Sequence, residues 1–342
     1  MQPQVTIAIP TYNGARRLPL VLEALAQQNV ADDAFEVLVV DNNSNDDTAH
    51  VACDGAAAVA LRDRGVPCRL VRERRRGSTY ARICGVLEAH APLVCFLDDD
   101  NVPGADYVRN GIDAMVDSGV GLLVSCVIPR WEAAPPPSIA RRSWIFAATS
   151  NLGDSPLDFG SHGSLAPTVT AGLWVRRNVF LAVVPWQHPE ALLSGRRGAA
   201  LSCGEDIEIG LMIGRAGYRR LYLPQLKLYH LIPASRLRPS YVCRLIEGIA
   251  RSQMTLTARY EGYSHTADAR LGALARLFGA AVAAPAVMLL RRDGLREALF
   301  IVVRRWAQLK GPYSANMLRA QDDDSPSFGR PSTRREVNRG GR

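Results

Sequence analysis

Phe96-Leu97-Asp98-Asp99-Asp100-Asn101 closes an apolar run that begins at Pro92. An apolar run ending abruptly in three adjacent carboxylates reads as a buried strand that delivers acids to its C-terminal end, where open α/β sheets place their ligands. Three like charges side by side repel one another. A hard cation such as Mg²⁺ or Mn²⁺ favours carboxylate oxygens and would remove that cost. A solvated acidic turn is the other reading, and these six residues fit both.

Toward the N-terminus, residues 5–10 are β-branched and apolar, and Thr11-Tyr12-Asn13-Gly14 is turn chemistry. Residues 17–28 place Leu18, Val21, Leu22 and Leu25 at helical spacing. Residues 35–40 are a second apolar strand, ending in Asp41-Asn42-Asn43-Ser44. A helix is predicted over 48–64, a third strand over 68–72, and a helix over 77–89 with Ala81, Cys84, Val86 and Leu87 inward. Strands alternating with helices predict a largely parallel, twisted sheet. Thr11, Asn13, Asp41 and the triplet then face one crevice at the C-terminal ends of three strands. Asp41 stands where dinucleotide folds put their ribose-binding acid. No G-x-G-x-x-G follows the first strand, however, and no G-x-x-x-x-G-K-[ST] occurs, which disfavours a nicotinamide enzyme.

Beyond the triplet, a helix is predicted over 107–117 and a strand over 121–128. The stretch 131–144 contains Pro135-Pro136-Pro137 and is not expected to be regular. Residues 145–167, rich in Gly, Ser and Pro, read as a flexible segment over the site or an acceptor-specific insertion. Order resumes over 169–177, around Gly172, and 195–198 reads as a mobile loop. Glu205-Asp206 opens a helix whose apolar positions are Ile207, Ile209, Leu211 and Met212. Acids in a first turn complement the helix dipole. A carboxylate at a crevice mouth can equally act as a general base. A short strand over 221–223 and an extended stretch over 226–229 lead to His230, then Arg236 and Arg238. A lone histidine is more often structural, but this one closes an apolar stretch just after a candidate base, which favours a functional role.

At 342 residues the chain has room for one large or two ordinary domains. Its net charge of +8 fits nucleic acid, anionic lipid or anionic small molecules as partners. The arginines are scattered with little aromatic interleaving, so nucleic acid is not expected. The cysteines (53, 68, 84, 95, 126, 203 and 243) form no CxxC pair and read as buried free thiols in a reducing compartment. No secretory signal is expected ahead of the first strand.

Together these pieces resemble the family 2 glycosyltransferases of the GT-A fold, over about residues 4–240. Val5 through Asn13, with Pro10, Thr11, Tyr12 and Asn13, looks like the opening strand and nucleotide loop. Val37-Leu38-Val39-Val40-Asp41-Asn42-Asn43-Ser44 looks like the second strand with its uracil-facing Asp. Arg75-Arg76-Gly77 through Ala81-Arg82 looks like the pyrophosphate-side segment. Asp98-Asp99-Asp100 matches the DxD motif, Glu205-Asp206 matches the ED motif, and His230 sits where many members carry a metal-ligand histidine. The chain departs from the family pattern at Ile83, where Asn is common, and at Ala171-Gly172-Leu173-Trp174, where Gly-Ala-Asn-Met is usual. No Q-x-x-R-W of the processive synthases occurs, so single-sugar transfer is expected.

The resemblance implies an α/β GT-A fold, a mostly parallel Rossmann-like sheet with flanking helices and a C-terminal helical extension. It implies an inverting, Mn²⁺- or Mg²⁺-dependent transfer of one sugar from a nucleotide diphosphate, UDP expected, to an acceptor hydroxyl of a glycan or lipid-linked molecule. Cell-envelope polysaccharide or glycolipid biosynthesis is the expected setting. Asp206 is the expected base, and Asp100 and His230 the metal ligands. Asp98 belongs on the ribose, Asp99 there or on the metal, and Arg82 and Arg236 on phosphate. Asp41 and Asn43 are donor contacts. Glu205, Gly172 and Trp174 are the expected acceptor contacts, with Glu205 alternatively a helix cap. A nucleotidyltransferase and a non-catalytic nucleotide-sugar-binding module are the competing classes.

Residues 1–240 are the expected catalytic domain, with a nucleotide half (1–128) and an acceptor half (129–240). A helical segment (241–320) and a disordered tail (321–342) follow. Helices are predicted over 241–260, 267–290 and 295–309. The clean apolar stretch 277–290 has 14 residues, short of the ~20 a spanning helix needs. Flanking Arg and Trp suit an interfacial helix. A buried helical pair is the alternative, and a spanning segment the third. The expected location is the cytoplasmic face of the inner membrane, with peripheral contact through 271–309.

Overall fold

The computed structural model describes residues 2–161, 168–193, 204–262, 266–291 and 293–312. The expected mobile loop at 195–198, Cys203 and the expected tail at 321–342 lie outside the described residues. The chain opens with β1 (Val5–Thr11), α1 (Leu18–Ala26), β2 (Phe35–Asp41), α2 (Thr48–Asp54), α3 (Ala56–Asp63), β3 (Cys68–Arg72), α4 (Ser78–Leu87) and β4 (Leu93–Phe96). β1 pairs in parallel with both β2 and β4, and β2 with β3. Thr11 stands beside Asp41 and Ala8 beside Phe96, so the loops after these strands open along one edge.

The chain continues through β5 (Asn101–Pro103), α5 (Tyr107–Ala114), β6 (Val120–Trp131), α6 (Pro137–Ala140), β7 (Leu157–Asp158), β8 (Leu173–Arg176), α7 (Arg177–Val183), α8 (Glu205–Arg215) and β9 (Arg219–Ile232). One nine-stranded sheet results, ordered β3-β2-β1-β4-β8-β6-β9-β5, with β7 on β9. The first half is parallel. The second is mixed, because β8 runs antiparallel to both β4 and β6. The expected boundary between 128 and 129 falls inside β6, so the two halves share one sheet.

Apolar side chains fill both faces of the sheet. Ile7, Ile9, Val37, Val39 and Cys95 point to the α1 side, and Ala8, Val94 and Phe96 to the α4 and α8 side. A strand covered on both faces needs a continuous apolar run, which is what precedes the triplet.

Local chemistry moves several expected boundaries. The helix predicted over 48–64 breaks at Gly55, whose ψ of 149° is extended, giving α2 and α3. Pro137 begins a short helix because its missing N–H costs nothing in a first turn. The pieces expected at 221–223 and 226–229 are one strand, β9, which carries a register shift where Ser125 and Cys126 face Leu223 and Lys227. Within the stretch 145–167, residues 157–158 pair with β9.

Three helices follow: α9 (Pro239–Tyr260), α10 (Ala267–Leu290) and α11 (Gly294–Lys310). α11 lies against both α9 and α10. Phe300 of α11 joins Ile139, Ile145, Phe146 and Val242 in a core of its own beside the sheet. Arg141 and Arg142 both pair with Glu297, and Ser138 donates to Asp293, tying this helical layer to the segment after β6.

Candidate active site

The three acids of the triplet point to three different partners. Asp98 is partly exposed and accepts from Arg82 Nη2 at 3.2 Å. Asp99 turns toward the loop after β1. It accepts from Thr11 Oγ1 at 2.6 Å, and from Arg17 at 3.0 Å from Nε and 2.8 Å from Nη2. Burial pushes the Asp99 carboxyl up, and Arg17 only partly offsets it. Asp100 faces β9, with Arg236 Nη2 at 3.2 Å and His230 Nε2 at 3.5 Å.

Arg82 of α4 reaches a second carboxylate, Glu205 at the start of α8, while it holds Asp98. Burial works against the guanidinium charge, but Asp98, Glu205 and Asp206 hold Arg82 above its ordinary value. Asp206 is next in the chain. Its Oδ1 accepts from the Ile207 N–H at 2.9 Å and its Oδ2 from the Thr170 N–H at 3.2 Å. Burial of the carboxyl, then the charge of Glu205, push Asp206 up to about 7. The triplet and the Glu205-Asp206 helix start are therefore one side chain apart.

The loop after β1 is braced from β2. Asp41 is buried at the strand end and accepts from the Ser44 N–H at 2.9 Å, with Arg72 Nε at 3.5 Å from its other oxygen. Ser44 Oγ receives the Asn13 N–H and Thr48 Oγ1 the Gly14 N–H. Asn13 and Asn43 both take positive φ, 50° and 65°, a region Asn tolerates better than most residues. A Cβ on Gly14 would come 2.1 Å from Thr11 Oγ1, so only glycine lets this loop close on Asp99. Tyr12, half exposed, projects into solvent at the loop tip.

The glycosyl transferase family 2 profile matches residues 6–176, half of the chain. The chain belongs to glycosyl transferase family 2. Glycosyltransferase AglE of Haloferax volcanii is 31% identical over 121 residues, 35% of this chain and 38% of its own. An uncharacterized glycosyltransferase of Mycobacterium tuberculosis is 38% identical over 119 residues, 35% of this chain and 46% of its own. The match thus spans less than half the length of either relative. The solved mannosyltransferase PcManGT of Pyrobaculum calidifontis, in complex with GDP-Man and Mn²⁺, superposes with a TM-score of 0.56 at 18% identity. That match covers 90% of this chain and 88% of the mannosyltransferase, and it shows a shared fold.

Asp100 and His230 have the donor types of a divalent-ion site, and the Arg236 guanidinium bridges the two in this structure. His230 Nδ1 lies 2.8 Å from the Phe146 carbonyl, so Nδ1 carries the proton and the unprotonated Nε2 accepts from Arg236 Nη1 at 3.3 Å, with Asp100 Oδ2 3.5 Å away. A backbone acceptor that orients a histidine in this way is the usual support of a metal ligand. Among the described residues no three His, Cys, Asp or Glu side chains converge on one point. Asp100 and His230 thus offer a two-ligand edge, which suits an ion completed by phosphate oxygens and water. Asp99 is committed to Thr11 and Arg17, on the side of the loop after β1, whereas Asp100 lies beside His230 and Arg236.

Two expected acceptor contacts in this family 2 site need correction. Trp174 is fully buried in the core under α5, and its Nε1 donates to Tyr107 Oη at 3.1 Å. Alternation along β8 sends Leu173 and Val175 to one face and Trp174 to the other, away from the crevice. Gly172 is held by packing: its φ is +71°, and a Cβ would lie 2.5 Å from Tyr107 Oη and 2.6 Å from Ser125 Oγ. Glu205 accepts from Arg82 and Ser78 and does not cap its own helix with its side chain. Arg82, expected on phosphate, is spent between two carboxylates, whereas Arg236 lies beside Asp100 and His230.

Sequence reading missed Arg17, the Thr170 N–H and the Phe146 carbonyl. Arg17 stands 82 residues from Asp99, and the other two are backbone groups, so no residue-type pattern marks them.

Proposed function

We propose that this protein moves one sugar from a nucleotide-diphosphate donor, with UDP the first candidate nucleotide, to an acceptor hydroxyl, with inversion at the anomeric carbon. The observation that carries the reading is Arg82, bound at once to Asp98 and Glu205, which brings the acids after β4 and the start of α8 within one side chain of each other. The acceptor hydroxyl gives its proton to Asp206. Its oxygen bonds to the anomeric carbon, and the bond from that carbon to the diphosphate oxygen breaks, the electron pair leaving on the diphosphate. Asp206 suits this role: two backbone N–H groups fix its carboxylate, and its pKa of about 7 lies near neutral pH. A Mg²⁺ or Mn²⁺ ion held by Asp100 and His230 supplies countercharge to the diphosphate when bound. Arg236, within reach of both residues, adds a charge-assisted hydrogen bond to a phosphate oxygen.

The protein works at a membrane, on the cytoplasmic face, in the assembly of an envelope polysaccharide or glycolipid. Support for the membrane contact comes from α10. Its residues Asp268–Leu290 are long and apolar enough to cross a bilayer, and Phe278 is 72% and Leu289 87% exposed. The buried helical pair, the alternative to an interfacial helix, does not fit such exposure, and α10 runs unbroken for 24 residues.

The test is thermal stabilisation by a panel of UDP- and GDP-sugars, with Mn²⁺ and with EDTA, followed by transfer assays on Asp206→Asn. One donor should raise the melting temperature only with the metal, and the variant should bind it normally yet fail to transfer. Stabilisation by no nucleotide-sugar, or transfer by the variant at near wild-type rate, refutes the reading.

A further inference from the structure

A cavity of about 110 Å³ lies outside the acidic crevice, between α9, α11 and the segment after α6. Its walls include Ile246 and Ile249 of α9, Phe300 of α11 and Trp144, and its rim carries Arg304 and Arg305. Phe300 is fully buried at its base, with the Arg142 guanidinium 6.0 Å from its ring centroid. Arg142 shares the Glu297 carboxylate with Arg141, so it already has an acidic partner. Arg304 and Arg305 differ. Neither has a carboxylate partner among the described residues, and Arg305 donates only to the neutral Gln308, at 2.9 Å. Two uncompensated cations over an apolar slot match a ligand with an anionic head and a hydrocarbon body.

The surroundings name the source of that ligand. α11 packs against α10, the apolar and exposed helix, and shows its own exposed apolar residues Leu295 and Leu299. Trp306 and Trp144, 47% and 38% exposed, flank the two arginines. Arginine beside half-exposed tryptophan is the side-chain pattern of a membrane–water interface. Residues 268–310 carry eight Lys and Arg against three Asp and Glu, a net +5 of the whole chain's +8. An anionic leaflet attracts such a segment.

We infer that this cavity binds the phosphate headgroup and upper acyl chain of an anionic membrane phospholipid, with Arg304 and Arg305 on the phosphate and Ile246, Ile249 and Phe300 against the chain. The inference rests on the membrane reading above and not on sugar transfer, since no residue of the acidic crevice lines the cavity.

The full-length protein is titrated with monomeric short-chain phosphatidylglycerol brominated on its acyl chain. The Trp144 signal is taken as the difference between the wild type and Trp144→Phe. Quenching should saturate, and Arg304→Gln with Arg305→Gln should weaken it about fivefold or more per substitution. Arg291→Gln, on the same helical layer but outside the cavity, should leave it unchanged. Equal quenching by brominated phosphatidylcholine would mean that the arginines select nothing. Protection of Trp144 by inorganic phosphate alone would make this a free-anion site, and an equal effect of Arg291→Gln would reduce it to diffuse surface charge. Each of these outcomes, or no quenching at all, overturns the inference. Donor-induced thermal stabilisation of the same variants reports separately on the acidic crevice.

Discussion

Asp206 ties chemistry to proton uptake. Its carboxyl ordinarily titrates near 3.8 and here is pushed up to about 7, so transfer should lose about tenfold in kcat/KM per pH unit below 7. A pH–rate profile checks this, and a flat acid limb would remove Asp206 from the base role. The same shift carries a stability cost. The folded chain holds this proton more tightly than the unfolded chain does, so stability is lost as pH rises from about 4 through about 7. Asp206→Asn should therefore gain on the wild type in melting temperature between pH 5 and pH 8. Arg82 works in the opposite sense. Arg82→Met leaves Glu205 and Asp206 without their shared countercharge and should cost about 3 kcal/mol at pH 8 in urea unfolding. The loss should be smaller at low pH, where Asp206 takes up a proton. The acids themselves were legible in the sequence because charges that interrupt apolar runs are conspicuous. Their division of labour was not, because Asp98, Asp99 and Asp100 are distinguished only by Arg82, Arg17 and His230, each brought in from another element.

Elements formed where periodicity was strong and moved where one residue overrode it. α1 and α4 lie close to their predicted spans, whereas Gly55 divides one predicted helix into two. Trp174 was misread for a different reason. Which face of a strand meets the crevice is fixed by pairing with neighbours, and β8 takes its register from β4 and β6, which no local pattern encodes. The correction makes a prediction. A Cβ on Gly111 of α5 would come 2.2 Å from the Trp174 ring, so Gly111→Ala should destabilise the fold by about 1–3 kcal/mol through overpacking. If Trp174 instead lined an open acceptor site, the same change would be nearly silent in denaturant unfolding and would alter acceptor KM. The two measurements separate the cases.

On the scale of the whole molecule, the sheet and the C-terminal helical layer divide the work. Leu271, Leu274, Phe278 and Val282 line an exposed apolar stripe on α10. Replacing Phe278 and Val282 with serine should reduce sedimentation with lipid vesicles severalfold while sparing transfer to a soluble acceptor. Loss of both together would mean that the helix supports the crevice rather than the membrane. The alternation of strands and helices up to the triplet was readable from sequence. The insertion of β8 between β4 and β6 was not, because it joins segments that lie far apart in the chain. That insertion has a consequence for biosynthesis. The outer edge of β4 stays unpaired until residues 173–176 leave the ribosome, roughly 80 residues later, or about 4–16 s at ordinary elongation rates. During that interval the nascent chain exposes a bare, apolar strand edge open to mispairing, so slowing translation between these segments should raise aggregation of the newborn protein and its demand for chaperones.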